Sequence, residues 1–460
     1  MDLDARNPVP NVQVLPKYSL NDEDLHIKAT GLRPCQRVTL RAHVFTESGK
    51  YRFESHAQYE ADDRGIVEVE KAPSLGGSYQ GIEPMGLLWS LEPAPEIAHK
   101  RPRLVKRNIQ KPFIYTFQLV DDVDNVVMHS TSVERWYLAS YVERHLVQHG
   151  IADGCLYIPK KKGSSDPMPV LLDIRGGVPF LVEDRPSLMA SHGFAVFSID
   201  YFRKMMAGRR IFNEKCRYFD LKIFLDIFEF IANHPRLDSS RVGIVSSCLG
   251  SVLALQAAAR LKDMVPIRCV AATGCVDFLG YEIGLRLPDG TTIEPYKNSD
   301  HEEVVEDTDG GYIWQLSDFN AFDNLQGDFV IPVEDISCPM LFITNGDDQH
   351  IPSYKRMTAM KERIERVGKG NLLETIHLEG AGHYIDAPYL PLCRKNNMDP
   401  TLPYPVCGVN GGEPRLHGYA LNKAWRKTIN WFRGQLNITE TYRLDWLDSI
   451  SSTPYVSSRL

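Results

Sequence analysis

No apolar run in the 460 residues approaches the ~20 that a membrane-spanning helix needs, so no such span is expected. Cys-x-x-Cys pairs are also missing. The nine cysteines, at 35, 155, 216, 248, 269, 275, 338, 393 and 407, are odd in number and irregularly spaced. That pattern argues against a disulfide framework and a zinc ribbon, and for mostly buried thiols in a reducing compartment. Positive charge is not in excess: 52 Lys and Arg against 59 Asp and Glu leave a net charge of −7. Nothing overall then attracts nucleic acid or anionic lipid, and no nucleic-acid partner is expected. The start, Met1-Asp2-Leu3-Asp4-Ala5-Arg6, is charged and lacks the apolar stretch of a secretory leader. No Walker or dinucleotide glycine motif is evident, and neither a metal nor a redox cofactor is expected.

What is present is an ordinary globular composition, 43% hydrophobic and 24% charged, which excludes a disordered or collagen-like chain. Residues 1–150 read as β. Residues 37–44 alternate apolar and polar with period two, and 51–59, 66–70, 113–120 and 125–133 follow more loosely. Short strands at this spacing predict an antiparallel, immunoglobulin-like sandwich. From about 150 the rhythm changes. Apolar runs at 170–174, 194–199, 242–245, 268–273, 340–344 and 373–378 alternate with helical patterns at 220–233, 250–261, 354–367 and 421–436. Strand–helix alternation predicts a mostly parallel sheet covered on both faces, over residues 151–440, with its chemistry at the carboxyl ends of the strands. Residues 276–335, which hold Asp300, Glu302, Glu303, Glu306 and Asp307, break this rhythm. They read either as a substrate lid or as a solvated loop. Residues 441–460 form a polar tail.

The sharpest local pattern is Val245-Ser246-Ser247-Cys248-Leu249-Gly250. An apolar strand runs into a helix with small residues two before and two after a central Cys. This is a nucleophile elbow with Cys in the usual place of Ser. The helix N-terminus behind it favours a thiolate. Two later strand ends supply partners: Asn345-Gly346-Asp347-Asp348 and Gly380-Ala381-Gly382-His383. The order nucleophile, acid, base is that of the α/β-hydrolase fold. His383 takes the thiol proton, and Asp348 holds the imidazole, with Asp347 as the competing acid. His350 and His377 are read as a surface residue and a packed strand residue. The oxyanion hole is assigned to the backbone N–H groups of Leu249 and of Gly177, in the turn Arg175-Gly176-Gly177.

Longer segments carry a resemblance. Ala72-Pro73-Ser74-Leu75-Gly76-Gly77-Ser78-Tyr79, Gly81-Ile82-Glu83-Pro84-Met85-Gly86-Leu87-Leu88-Trp89, Gly346-Asp347-Asp348 and Gly382-His383-Tyr384-Ile385, with Pro388-Tyr389, Pro391 and Cys393 following, resemble the acyl-CoA thioesterase and bile acid-CoA:amino acid N-acyltransferase family. The resemblance spans both halves and implies a triad of Cys248, Asp348 and His383. It implies acyl-CoA as the substrate, fatty or bile acyl donors, and water or an amine such as glycine or taurine as acceptor. The elbow Ser-Ser-Cys-Leu-Gly is similar to the transferase branch, since thioesterase members usually carry Ser. A Cys acyl-enzyme is a thioester, which amines attack readily.

Two rival readings exist. A dienelactone-hydrolase-like enzyme also uses Cys, Asp and His on this fold, but needs no domain like the one around residues 83–89. A catalytically inactive scaffold does not need all three triad residues. The final Ser458-Arg459-Leu460 resembles the Ser-Lys-Leu address, which implies a peroxisomal import receptor as partner and a peroxisomal location, with the cytosol as the alternative.

Overall fold

The computed structural model describes residues 9–160, 166–178, 180–202, 217–280, 283–296, 303–306, 312–315, 325–397 and 406–438. The chain divides into two units. The first is Met1–Tyr137 with Asp386–Cys393, and the second is Leu138–Ile385 with Arg394–Leu460. The division thus falls at Tyr137, a little before the expected 150, because the next strands join the second unit's sheet. The tail 441–460 lies outside the described residues.

The first unit is β-rich. A three-stranded sheet is formed by Asn11–Leu15, His26–Thr30 and Val67–Glu68. A seven-stranded sheet is centred on Phe113–Asp121, Arg37–Phe45 and Arg52–Glu60. The period-two pattern of these strands aligns across the ladder. Leu40 faces Ala57 and Leu119, Ala42 faces Ser55 and Phe117, and Val44 faces Phe53 and Tyr115. All of these side chains are buried. A fully buried aliphatic or Phe side chain contributes roughly 1.5–3 kcal/mol, so register and stability come from the same alternation. Arg135 is buried in this unit. It donates to Ser19 Oγ at 2.7 Å and to the carbonyls of Asn21 and Glu23 at 2.6 Å. Asp386–Cys393 completes the unit: Asp386 pairs with Arg103, the Tyr389 hydroxyl donates to Asp24, and Asn21 Nδ2 donates to the Pro388 carbonyl at 2.9 Å.

The second unit is built on an eight-stranded sheet. Its strands are β1 (Val142–His149), β2 (Ala152–Pro159), β3 (Met168–Ile174), β4 (Ala195–Ile199), β5 (Leu237–Ser247), β6 (Ile267–Thr273), β7 (Met340–Asn345) and β8 (Leu373–Leu378), and their order is β1-β2-β4-β3-β5-β6-β7-β8. β2 is antiparallel to both its neighbours and β3 through β8 run parallel. This is the α/β-hydrolase arrangement. Every residue of β3 and β7 is buried, the mark of a parallel sheet covered on both faces.

The helices are α1 (Asp184–Ser191), α2 (Lys222–Asn233), α3 (Leu249–Arg260), α4 (Ser353–Arg366) and α5 (Pro414–Gln435). Helix α5 starts seven residues before the apolar pattern that predicts it. Glu413 caps it, its carboxylate accepting from the N–H groups of Arg415 at 3.3 Å and Leu416 at 2.7 Å, and Pro414 fills the first turn. Helix α1 escapes a periodicity reading because all eight of its residues are buried. The region 276–335 falls partly outside the described residues. Within it, Ile283–Arg286 pairs with Arg217–Asp220 and Thr292–Ile293, and Glu303–Glu306 pairs with Tyr312–Gln315.

Candidate active site

Cys248 sits between the end of β5 and the start of α3 with φ 54° and ψ −129°. This is a costly conformation for a residue with a side chain, and it persists only where the surroundings enforce it. They do so here with short bonds and small residues. The Cys248 N–H donates to the Thr273 carbonyl at 2.9 Å, and Ser246 Oγ donates to the Ala271 carbonyl at 2.8 Å. Gly250 lies so near β3 that a Cβ would stand 2.2 Å from the Ile174 carbonyl oxygen. The glycine therefore lets α3 approach the sheet and aim its N-terminus past the thiol.

The turn Arg175-Gly176-Gly177 stands against the elbow. A Cβ on Gly176 would lie 3.0 Å from Cys248 Cβ and 3.4 Å from its Sγ, and one on Gly177 would meet the Phe202 ring at 3.1 Å. The turn is anchored from behind. Tyr201 donates its hydroxyl to the Arg175 carbonyl at 2.7 Å, and the Arg175 guanidinium pairs with Asp184 at 2.8 Å. Beneath it Arg185 holds Asp173 through two contacts, at 2.6 and 3.2 Å. The first N–H groups of α3, beginning with Leu249, have no acceptor within the helix.

Asp348 lies in the turn after β7, and His383 in the turn after β8. His383 Nδ1 lies 3.0 and 3.1 Å from the two carboxylate oxygens of Asp348, and the Cys248 sulfur is near enough to the same imidazole to favour its protonation. The structure thus brings Cys248, Asp348 and His383 together. Asp348 is cradled further by the N–H groups of His350 at 3.0 Å and Ile351 at 3.1 Å, and by Ser353 Oγ at 2.8 Å. Burial opposes its charge, but the His383 imidazolium and these donors outweigh that and lower its pKa. Burial likewise opposes protonation of His383. The Asp348 carboxylate and the Cys248 sulfur prevail and raise it well above the ordinary histidine range. Asp347 faces elsewhere, accepting from the Gly412 N–H at 2.7 Å and Gln349 Nε2 at 2.9 Å.

The loop carrying His383 is held by its backbone. Its N–H donates to the Asn410 carbonyl at 2.8 Å, and its carbonyl accepts from Asn345 Nδ2 at 3.2 Å. The Gly382 N–H donates to His417 Nδ1 on α5 at 3.1 Å. Asn345, Ser353, Asn410 and His417 escape a reading of motifs. Only Ser353 carries a local signal, as a small polar residue opening a helix after Pro352. His350 differs from its expected surface role: its ring packs against that of His383, tilted, with centroids 4.5 Å apart. His377 is a strand residue whose Nδ1 lies 3.0 Å from Thr344 Oγ1 and whose ring packs on Tyr354. Burial pushes the thiols of Cys155 and Cys338 up to about 11, and those of Cys269 and Cys275 higher, so these are inert packing residues. Among the described residues no three of His, Cys, Asp and Glu gather closely enough to hold a metal ion.

The chain is similar to an acyl-coenzyme A amino acid N-acyltransferase of Mus musculus, at 32% identity over 92% of this chain and 96% of that protein. It is equally similar to the Homo sapiens bile acid-CoA:amino acid N-acyltransferase, at 32% over 92% and 96%. The mitochondrial acyl-coenzyme A thioesterase 2 of Homo sapiens aligns at 32% over 90% and 82%. A dienelactone hydrolase-like phosphotriesterase from metagenomic libraries overlaps with a TM-score of only 0.36 at 12% identity, over 64% of this chain and 99% of that one, too slight a likeness to carry weight. Residues 22–149 match the acyl-CoA thioester hydrolase/BAAT N-terminal region and residues 219–438 the BAAT/acyl-CoA thioester hydrolase C-terminal region. With both of its halves matched and its relatives aligned along nearly its whole length, the chain belongs to the acyl-CoA thioester hydrolase/BAAT family.

Proposed function

We propose that the chain is an acyl-CoA-processing enzyme with a Cys248–His383–Asp348 triad. The observation that carries this reading is the thiol on a strained elbow facing an imidazole whose far nitrogen is held by a buried carboxylate. His383 takes the Cys248 proton, and the thiolate adds to the thioester carbonyl of the acyl-CoA. The oxyanion that forms is met by the N–H groups of Leu249 and Gly177. Collapse breaks the carbon–sulfur bond to CoA, whose thiolate leaves with the proton from His383. The acyl group now sits on Cys248 as a thioester. Neutral His383 then takes a proton from the incoming amine or water as it attacks. The second oxyanion collapses, and the Cys248 sulfur recovers its proton.

Similarity does not divide transferase from thioesterase, because relatives of both kinds align at 31–32% identity. Cys at the elbow favours transfer to a small amine such as glycine or taurine, since amines attack thioesters more readily than oxygen esters. The location that fits this work is the peroxisome, supported by Ser458-Arg459-Leu460, which a peroxisomal import receptor would bind. An N-terminally tagged chain gives a punctate signal that turns diffuse when Arg459 and Leu460 are removed.

The main test is product analysis by mass spectrometry with a panel of fatty and bile acyl-CoAs, with and without glycine and taurine. Wild type carries one acyl group on Cys248 and releases conjugate or free acid. Cys248→Ala carries none and loses turnover by at least about a thousandfold while remaining folded. Near-normal turnover by that variant defeats the triad. Free acid without conjugate, whatever the amine, defeats the transferase half of the reading and leaves the thioesterase.

A further inference from the structure

His350 is unused by the mechanism above, yet it touches both the acid and the base of the site. Its backbone N–H donates to Asp348 Oδ1 at 3.0 Å. Its ring lies on the His383 imidazole with centroids 4.5 Å apart and planes tilted by 42°. His383 is thus flanked by a second ring, while its Nδ1 lies 3.0 and 3.1 Å from the two carboxylate oxygens of Asp348. We propose that His350 is a positioning residue for the reaction: its neutral ring fixes the plane of His383 and stabilises the imidazolium that the Cys248 thiolate requires. This rests on His383 being the base that serves Cys248.

The charge state of His350 fits the role. Burial, and repulsion from the His383 imidazolium, lower its pKa to about 3, against a smaller opposite pull from Asp348. It therefore stays uncharged while His383 takes up and releases protons. A neutral aromatic ring over a cation is attractive, whereas a second imidazolium there would repel the first. The same residue fixes the acid through its backbone and the base through its side chain, so a single turn sets their mutual distance. Gln349, its neighbour in the chain, is engaged instead with Asp347.

The test uses the full-length chain and iodoacetamide, whose reaction with Cys248 needs no acyl-CoA. The rate of Cys248 alkylation is followed against pH, by peptide mass spectrometry, in wild type, His350→Leu, His350→Phe and His383→Ala. Leu fills the space without a π-face, and Phe restores a face without a titrating nitrogen. His350→Leu moves the midpoint of the rate–pH curve upward by about one unit and slows the reaction near neutrality about tenfold, the size of a desolvated cation–π contact. His350→Phe keeps the wild-type midpoint. Equal losses in Leu and Phe overturn the proposal in favour of a proton-carrying His350, and unchanged curves in both overturn it outright. If Leu does not fold, as judged by melting, a displaced midpoint in Phe alone is enough to overturn it. An unchanged rate in His383→Ala is a different failure: it defeats the pairing of Cys248 with His383, on which the proposed function stands.

Discussion

In the first unit the strand Arg52–Glu60 buries alternate residues, whereas β3 and β7 of the second unit are buried throughout. The two kinds of sheet dispose of their polar groups differently. In the first unit polar side chains enter the interior, and some of them meet partners there. The Tyr59 and Tyr79 hydroxyls meet at 2.7 Å, and Arg135 is spent on Ser19 and two carbonyls. Burial pushes the Tyr59 hydroxyl up to about 12, so it is a fixed neutral partner. In the second unit the run of β7 is apolar until Thr344 and Asn345, and the acids follow in the turn beyond. Parallel packing leaves little room for polar groups within the layer, so they gather where strands end and helix N-termini begin. Both units bury polar pairs, Asp173 with Arg185 among them in the second, but the second also gathers polar groups at the ends of its parallel strands.

Substitutions in the two units test these polar groups separately. The largest effect belongs to the acid turn. Asp348→Asn lowers turnover about ten-thousandfold by losing the imidazole's orientation and charge, while Asp347→Asn costs at most about tenfold, since it loses only contacts to Gly412 and Gln349. Steady-state rates of the two variants on one acyl-CoA make the comparison, and equal losses would remove the distinction between these neighbours. Next comes Arg135→Met. It strips the buried Asn21 carbonyl and the part-buried Glu23 carbonyl of their donor and lowers unfolding free energy by about 3 kcal/mol, read by urea denaturation, with kcat per folded molecule unchanged. A fallen kcat would show that this buried polar group serves the chemistry after all.

A smaller effect concerns pH. The His383 pKa is raised in the folded state, so its share of stability is complete below about 6.5 and is lost as pH rises through the raised value. The Asp348 pKa is lowered, so its share is complete above about 4 and is lost as pH falls through the lowered value. The melting gap between wild type and Asp348→Asn is therefore widest from mildly acidic to neutral pH and narrows toward both extremes. A gap that does not vary with pH would contradict the pair. The smallest effect is Ser353→Ala. It removes one 2.8 Å donor from Asp348 and slows turnover about tenfold, leaving the Arg135 unit's stability untouched.

Much of this was legible in the residues. Alternation at 37–44 marked a one-sided strand, and the runs at 170–174 and 340–344 marked buried parallel ones, because side-chain period follows burial directly. The elbow, the acid turn and the His turn lay in reading order. Helix α1 was not legible, since a helix buried on all sides has no polar face to give it a period. The start of α5 depended on the Glu413 cap, which an apolar pattern does not register.

The sequence by itself determined which residue types could do the chemistry: a thiol between small residues, a paired carboxylate and a histidine, each after a strand. These follow from local rules of turn, strand and helix. Only the tertiary structure decided between Asp347 and Asp348, because the two are adjacent in the chain and differ only in which neighbours their carboxylates reach. One meets the Gly412 N–H, and the other meets His383 and Ser353. It also turned His350 from a surface residue into a ring packed against His383, and brought Asn345, Asn410 and His417 to the loop that carries that histidine. Contacts between segments distant in sequence carry no periodicity and no fixed spacing, so they come into being only when the strands are laid side by side.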